Sequence, residues 1–222
     1  MRARIAMLTA LSLIAAAGFT TAHATFVQQT GLPDNVPNSE KYFLVAETGS
    51  PSFSGDVGGQ STGVIVNALA NAPVDVANGW STIKPVDAPL TSITFTPVDP
   101  NRFGDFSLRG QLLTTQDLTI TVQDNQGNLP QTFTYTIGNA NQDITRIGIA
   151  STDAETILTV TVSDLGGFKE MKEIGFSPCS STDGGSCEGT SVPEPASLLL
   201  VGAGLIGLAS RRLFRSFGVS GS

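Results

Sequence analysis

The sequence predicts an all-β protein whose middle part folds as a jelly-roll-like β-sandwich. Three observations carry this expectation. Short runs between Tyr42 and Phe176 alternate apolar and polar residues with the two-residue period of a half-buried strand, and Gly, Pro, Asn and Asp separate them. No stretch of a dozen residues holds a 3.6-residue apolar period. The runs number ten over about 150 residues, more than the simplest immunoglobulin-like domain uses, so a jelly roll is the expected winding.

The chain has 222 residues and opens on Arg2 and Arg4, followed by the apolar run Ile5 to Phe19 and then Ala22-His23-Ala24. Basic start, apolar middle and small-residue exit are the parts of a secretory signal peptide, here residues 1–24 with cleavage after Ala24. An uncleaved anchor would need a run nearer twenty residues. Cleavage removes His23, the only histidine.

The sandwich domain is placed at 25–176, with strands expected at 42–47, 63–68, 83–86, 92–98, 106–112, 118–122, 132–137, 144–150, 156–163 and 168–176. The clearest pair is the sixth and seventh. Leu118, Ile120 and Val122 alternate with threonines, as do Phe133, Tyr135 and Ile137, and Asp124-Asn125-Gln126-Gly127-Asn128 supplies the turn, with Gly127 suited to positive φ. Ile93 with Phe95, Ile147 with Ile149, and Leu158 with Val160 and Val162 repeat the division into an apolar and a polar face. Two sheets closing their apolar faces together would form the core.

Residues 177–191 turn to Ser, Gly, Thr and Asp, too little apolar area to hold a fold, and are expected to be a stalk. Cys179 and Cys187 bracket seven residues within it. Outside the cell such a pair oxidises readily, and closing a nine-residue loop stabilises by about 2.6 kcal/mol in a chain-entropy account. A metal pair or a bond to another chain are the alternatives; a metal would want further thiols or imidazoles.

The remaining segment, 192–222, holds Val192-Pro193-Glu194-Pro195, the apolar run 196–209, and the basic residues Arg211, Arg212 and Arg215. Fourteen residues rise roughly 21 Å as a helix, short of a hydrocarbon core of about 30 Å. Such a helix suits a temporary anchor, with bilayer thinning and snorkelling arginines making up the difference and the basic cluster cytoplasmic.

Val-Pro-Glu-Pro, a short apolar helix and an arginine cluster, in that order, resemble the PEP-CTERM sorting signal. The resemblance implies export in a Gram-negative bacterium, transient residence in the inner membrane, and processing by an exosortase-type protease that reads Pro193, Glu194 and Pro195. The tail 216–222 is longer than such signals usually carry. Leu90 to Pro97 and Gly167 to Phe176 are, more weakly, similar to runs in secreted jelly-roll domains that precede this signal. The family association further implies a link to exopolysaccharide, biofilm or floc formation, and O-linked glycosylation on the Thr-rich faces and stalk.

Composition removes most chemistry. Between Thr25 and Pro195 there are 7 Lys or Arg against all 19 Asp or Glu, a net charge of −12, so nucleic acid is not an expected partner. Gly202-Ala203-Gly204-Leu205-Ile206-Gly207 spells a dinucleotide fingerprint but lies in the apolar helix, with no βαβ unit around it and no acidic residue after it. There the glycines instead permit close approach of another helix. Ser81-Thr82-Ile83-Lys84 has the S-x-x-K form of a serine acylase, yet Pro85 and the alternating pattern deny it a helix, and neither S-D-N nor K-T-G follows.

Paired carboxylates are the acid-base route left to a chain without histidine. Glu47, Glu155, Glu170 and Glu173 are available, the last two alternating with lysines as on a solvated, weakly ion-paired face. No catalytic residue is assigned and no cofactor is expected, with calcium the one ion worth testing. Asp99, Asn101 and Asp105, and Asp124, Asn125 and Asn128, are its weak candidates, turn formation being the simpler reading of both groups. Trp80 and Tyr42 are candidates for a sugar platform, against core burial. The sequence therefore predicts an exported, non-catalytic cell-surface or matrix protein. A carbohydrate-binding module, marked by an exposed aromatic pair or a polar cleft on one sheet face, is the second reading, and a secreted hydrolase the third.

Overall fold

The computed structural model describes residues 26–59, 64–114, 117–138, 142–152 and 155–177. The signal peptide, Cys179 and Cys187, the stalk and the whole sorting segment lie outside them. Among the described residues no helix is long and apolar enough to cross a membrane.

Twelve strands and one 3₁₀ turn make up the domain: β1 (Phe26–Thr30), η1 (Asn38–Glu40), β2 (Tyr42–Leu44), β3 (Glu47–Val57), β4 (Ile65–Ala77), β5 (Gly79–Trp80), β6 (Thr82–Pro85), β7 (Leu90–Pro97), β8 (Asp105–Leu112), β9 (Asp117–Asp124), β10 (Gln131–Thr136), β11 (Ile144–Ser151) and β12 (Ile157–Ser177). Every pairing is antiparallel.

The strands form a sandwich-like arrangement because β4 and β12 each serve two layers. The first half of β12 lies between β9 and β7, and its second half between β8 and β6. Likewise β4 pairs β7 through 66–70 and β6 through 74–77. One layer therefore runs β10-β9-β12-β7-β4-β3-β2-β5 and the other β1-β11-β8-β12-β6-β4. The crossing in β12 falls at Gly166-Gly167. Gly167 has φ +89°, which favours glycine, and a Cβ on Gly166 would displace the exposed Thr114 hydroxyl 1.7 Å away.

The core lies between the layers and follows the alternation. In β4 every second residue from Val66 to Val76 is buried and every other one exposed. Its alanines, Ala68, Ala70 and Ala72, leave room for large neighbours, among them an aromatic cluster of Tyr42, Phe95, Phe103, Phe106 and Phe176 with ring centroids 5.2–6.1 Å apart. Edge-on contacts such as Tyr42 on Phe176 add to the burial term.

Several expected strands need correction. The runs 156–163 and 168–176 are one strand of 21 residues. β4 extends nine residues past its expected end at Ala68; its ladder breaks at residues 71–73, where Pro73 stands at an exposed position, and resumes at Val74 on β3 and β6. β1 and most of β3 lie outside the expected strands. β3 is rich in Ser, Gly and Thr and is held by its register on β4, Phe53 opposite Ala68, with Phe53 and Val57 buried.

Candidate functional site

The outer surface of the β1-β11-β8-β12 layer is crossed by the 31–41 loop, and the two flank a half-open cavity of about 200 Å³. The loop is held by the Leu32 amide on the Arg146 carbonyl and by η1, and Val36 and the Glu40 carbonyl lie 3.5 Å from where a Cβ on Gly175 would stand. Polar groups converge on this cavity: Gln29 from β1, Asn35 and Glu40 from the loop, Asp105 from β8, Arg146 from β11 and Ser177 from the end of β12. Leu32, Pro33 and Val36 supply apolar wall.

Asp105 accepts the Ser151 amide at 3.2 Å, and Glu40 accepts the Ser177 hydroxyl at 2.6 Å. Burial pushes the Asp105 carboxyl up to about 6; the Ser151 amide opposes this and the Glu40 charge adds to it. A folded-state value above the unfolded 3.8 means the native protein holds the extra proton between about pH 4 and 6. The stability contributed by Asp105 is thus complete below pH 4 and lost as pH rises to 6, by up to about 3 kcal/mol at roughly 1.4 kcal/mol per unit. Burial raises Asp164 too, in the same sense, while Asp143, through hydrogen bonds from Lys172 and Gln111, and Glu170, through Lys172 and Lys84 despite burial, are lowered and lose stability only in stronger acid. Urea denaturation is expected to show stability falling from pH 4 to 6, with Asp105→Asn flattening most of that slope and raising the midpoint at pH 7.

Beside the cavity lies a network that the sequence did not suggest. Arg146 is 1% exposed, donating to the Glu173 carbonyl at 2.8 Å, to Glu173 Oε2 at 3.1 Å and to Ser107 Oγ at 3.2 Å. Its Nε has no hydrogen-bond partner. Burial lowers the Arg146 pKa, and the Glu173 charge opposes that effect. Arg109 shares Glu173 at 3.4 Å and reaches Asp34 at 3.4 Å. Glu173 occupies an irregularity of β12 with φ +53°, its amide donating to the Ser81 carbonyl at 2.8 Å. This rare backbone state turns its carboxylate onto Arg146. The expectation of a solvated Glu170–Glu173 face therefore does not hold: Lys172 and Glu170 do pair at 3.1 Å, but both side chains are mostly buried, and Glu173 is turned onto Arg146.

The expected site residues are placed as follows. Tyr42 is fully buried, its hydroxyl donating to the Val66 carbonyl at 2.8 Å, so it presents no face to a sugar. Trp80 is half-buried, its indole N–H donates to the Ile174 carbonyl at 2.9 Å, and Lys41 Nζ and the Arg146 guanidinium lie 4.5 and 5.2 Å from its ring centroid. The two aromatic residues do not make an exposed pair, because the strand carrying Tyr42 turns that side chain into the core. Ser81 is buried in the turn between β5 and β6, with no helix around it, and its hydroxyl accepts the Ile174 amide, which gives it a structural use.

Among the calcium candidates, Asp99 Oδ1 accepts the Asn101 amide, and the Asn101 side-chain oxygen accepts Asn125 Nδ2 at 2.6 Å. Asp124 accepts the Gln126 and Asn128 amides and Asn128 Nδ2 at 2.7–3.1 Å, while Asp105 faces Ser151 instead of Asp99. These oxygens close turns, as Asx-type motifs do. Among the described residues no three His, Cys, Asp or Glu side chains gather to hold a metal ion.

An all-β domain with a polar cleft on one sheet face thus precedes a C-terminal segment of quite different composition. Residues 191–213 of that segment match the PEP-CTERM protein-sorting motif, so Val192, Pro193, Glu194, Pro195, Arg211 and Arg212 fall inside the match and Arg215 just beyond it. No curated protein matches the chain. Among solved structures, it is similar to a mutant of a family 29 carbohydrate binding module, at 14% identity over 72% of this chain and 96% of that one, with a TM-score of 0.30. A second mutant of that family, complexed with mannohexaose, gives 12% identity, 70% and 89% coverage and a TM-score of 0.24. The enzymatically active domain of bacteriophage CBA120 tailspike protein 4 gives 16%, 64% and 21%, and 0.22.

Proposed function

We propose that this chain is an exported, non-catalytic protein of the cell surface or extracellular matrix, carrying a jelly-roll-like ectodomain and delivered through its C-terminal sorting segment. The sorting-motif match at 191–213 carries the reading. An exosortase-type protease would read Pro193, Glu194 and Pro195 while the 196–209 helix is held briefly in the inner membrane and Arg211, Arg212 and Arg215 stop transfer. The signal peptide, the Cys179–Cys187 disulfide and an association with exopolysaccharide or biofilm complete the proposal. A surface of uncharged hydroxyls supports it: Thr94 meets Thr161, Thr121 meets Thr132 and Thr119 meets Ser163, each at 2.9 Å, on the outside of the β9-β12-β7 region. Such a face stays hydrated and offers uncharged donors and acceptors to a polysaccharide.

Glu194→Ala tests the sorting step. The variant is expected to accumulate at its unprocessed mass in the membrane fraction, whereas normal release would contradict the assignment. Saccharide binding without catalysis is the second reading, favoured by the polar cleft under the 31–41 loop.

A further inference from the structure

We propose that the cavity under the 31–41 loop binds one uncharged sugar residue at the end of a glycan chain. The proposal rests on the extracellular reading above and gives it a ligand class and a site.

Size sets the first limit. About 200 Å³ falls below the roughly 300–1,000 Å³ of pockets that enclose drug-sized ligands, so one ring fits and a chain does not. A terminal residue is the part of a glycan that can enter.

The lining sets the second. Glu40 and an ionised Asp105 only accept hydrogen bonds, Arg146 only donates, and Gln29 and Asn35 do both. Ligand groups that must donate at one side and accept at another are hydroxyls, and a pyranose carries several on one ring. The Arg146 guanidinium is almost wholly buried and already engaged by Glu173 and Ser107, so the amide groups of Gln29 and Asn35 supply the donors on the lining. Pro33 and Val36 offer apolar surface to the C–H face of the ring.

Charge sets the third. Arg146 is already matched by Glu173, so Glu40 and Asp105 leave the cavity negative. A uronate or sulfated sugar would be repelled, and a neutral residue is selected. Because Asp105 takes up its proton near pH 6, an acceptor is lost in acid and binding should weaken below that pH.

The test uses the full chain in mild detergent and four probes: the methyl glycosides of glucose, galactose and mannose, and methyl glucuronide, titrated by NMR. At least one neutral glycoside is expected to bind in the millimolar range at pH 7.5. Glu40→Gln should weaken it about tenfold and Asn35→Ala, with an unchanged melting temperature, about threefold, while Trp80→Phe leaves binding unchanged. Methyl glucuronide should bind at least about tenfold more weakly. Failure of all three neutral probes would overturn the proposal, as would equal affinity in Glu40→Gln and Asn35→Ala, or uronide binding as tight as neutral. The export reading is decided separately by the Glu194→Ala fractionation. Release of methanol from a bound glycoside would leave the site standing and remove its non-catalytic character.

Discussion

Phe176→Ala is expected to destabilise the domain by about 3–5 kcal/mol, a large share of the roughly 5–15 kcal/mol that holds a domain folded. Phe176 is fully buried and touches Tyr42, Phe95, Phe103 and Phe106 at centroid distances of 5.2–6.1 Å, so its loss opens a cavity walled by four rings that cannot all move in. It also stands next to Ser177, whose hydroxyl holds Glu40, so the loop that roofs the cavity should loosen with it. Urea denaturation reads the loss directly. Leu165→Ala, at a residue 92% exposed, should leave the midpoint unchanged.

Arg146→Met should cost about 3 kcal/mol for a different reason. Methionine roughly fills the volume, but Glu173 keeps its charge and its positive-φ backbone while losing the guanidinium that bonds both its carboxylate and its carbonyl. Breaking one side of a buried pair is costly because the other charge remains. The cost sits at the low end of that class since Arg109 still reaches Glu173 at 3.4 Å and Glu173 keeps some contact with water. Glu173→Gln combined with Arg146→Met should recover part of the loss, since no unpaired carboxylate then remains, and the midpoint of the double variant checks this.

Much of the fold was legible because a strand with one buried face must alternate. The β9–β10 hairpin forms as expected, with Thr121 opposite Thr132, Ile120 opposite Phe133, and Gly127 at φ +81° in the turn. The misses have identifiable causes. β3 has the composition of a loop, Ser and Gly around Pro51, and becomes a strand because β4 supplies a long partner edge. In β4 the alternation continues through Ala70, Ala72, Val74 and Val76, past the expected end at Ala68, and the strand crosses the unpaired stretch around Pro73 by exchanging β7 for β6 as its neighbour. The gap between 163 and 168 reads as a turn, whereas two glycines let one strand bend between layers.

The cleft was illegible for another reason. Gln29, Asn35, Glu40, Asp105, Arg146 and Ser177 are single polar residues spread over nearly the whole domain, with no spacing to connect them, and only pairing of β8 with β11 and β12 brings them together. Arg146 carried the one usable signal: a lone arginine in Ile144-Thr145-Arg146-Ile147-Gly148-Ile149 stands where an apolar run leads one to expect a buried residue. Tyr42 and Trp80 were aromatic choices made on chemistry alone, and the register of β2 with β3 sent Tyr42 inward.

Export directed by both apolar ends is tested by the intact mass and terminal peptides of the protein recovered from its native host. A polypeptide found outside the cytoplasm, beginning at Thr25 and ending close to Pro195, is the predicted result. The full 222-residue chain in the cytosol, with Met1 or Arg2 and Ser222 still in place, would contradict it.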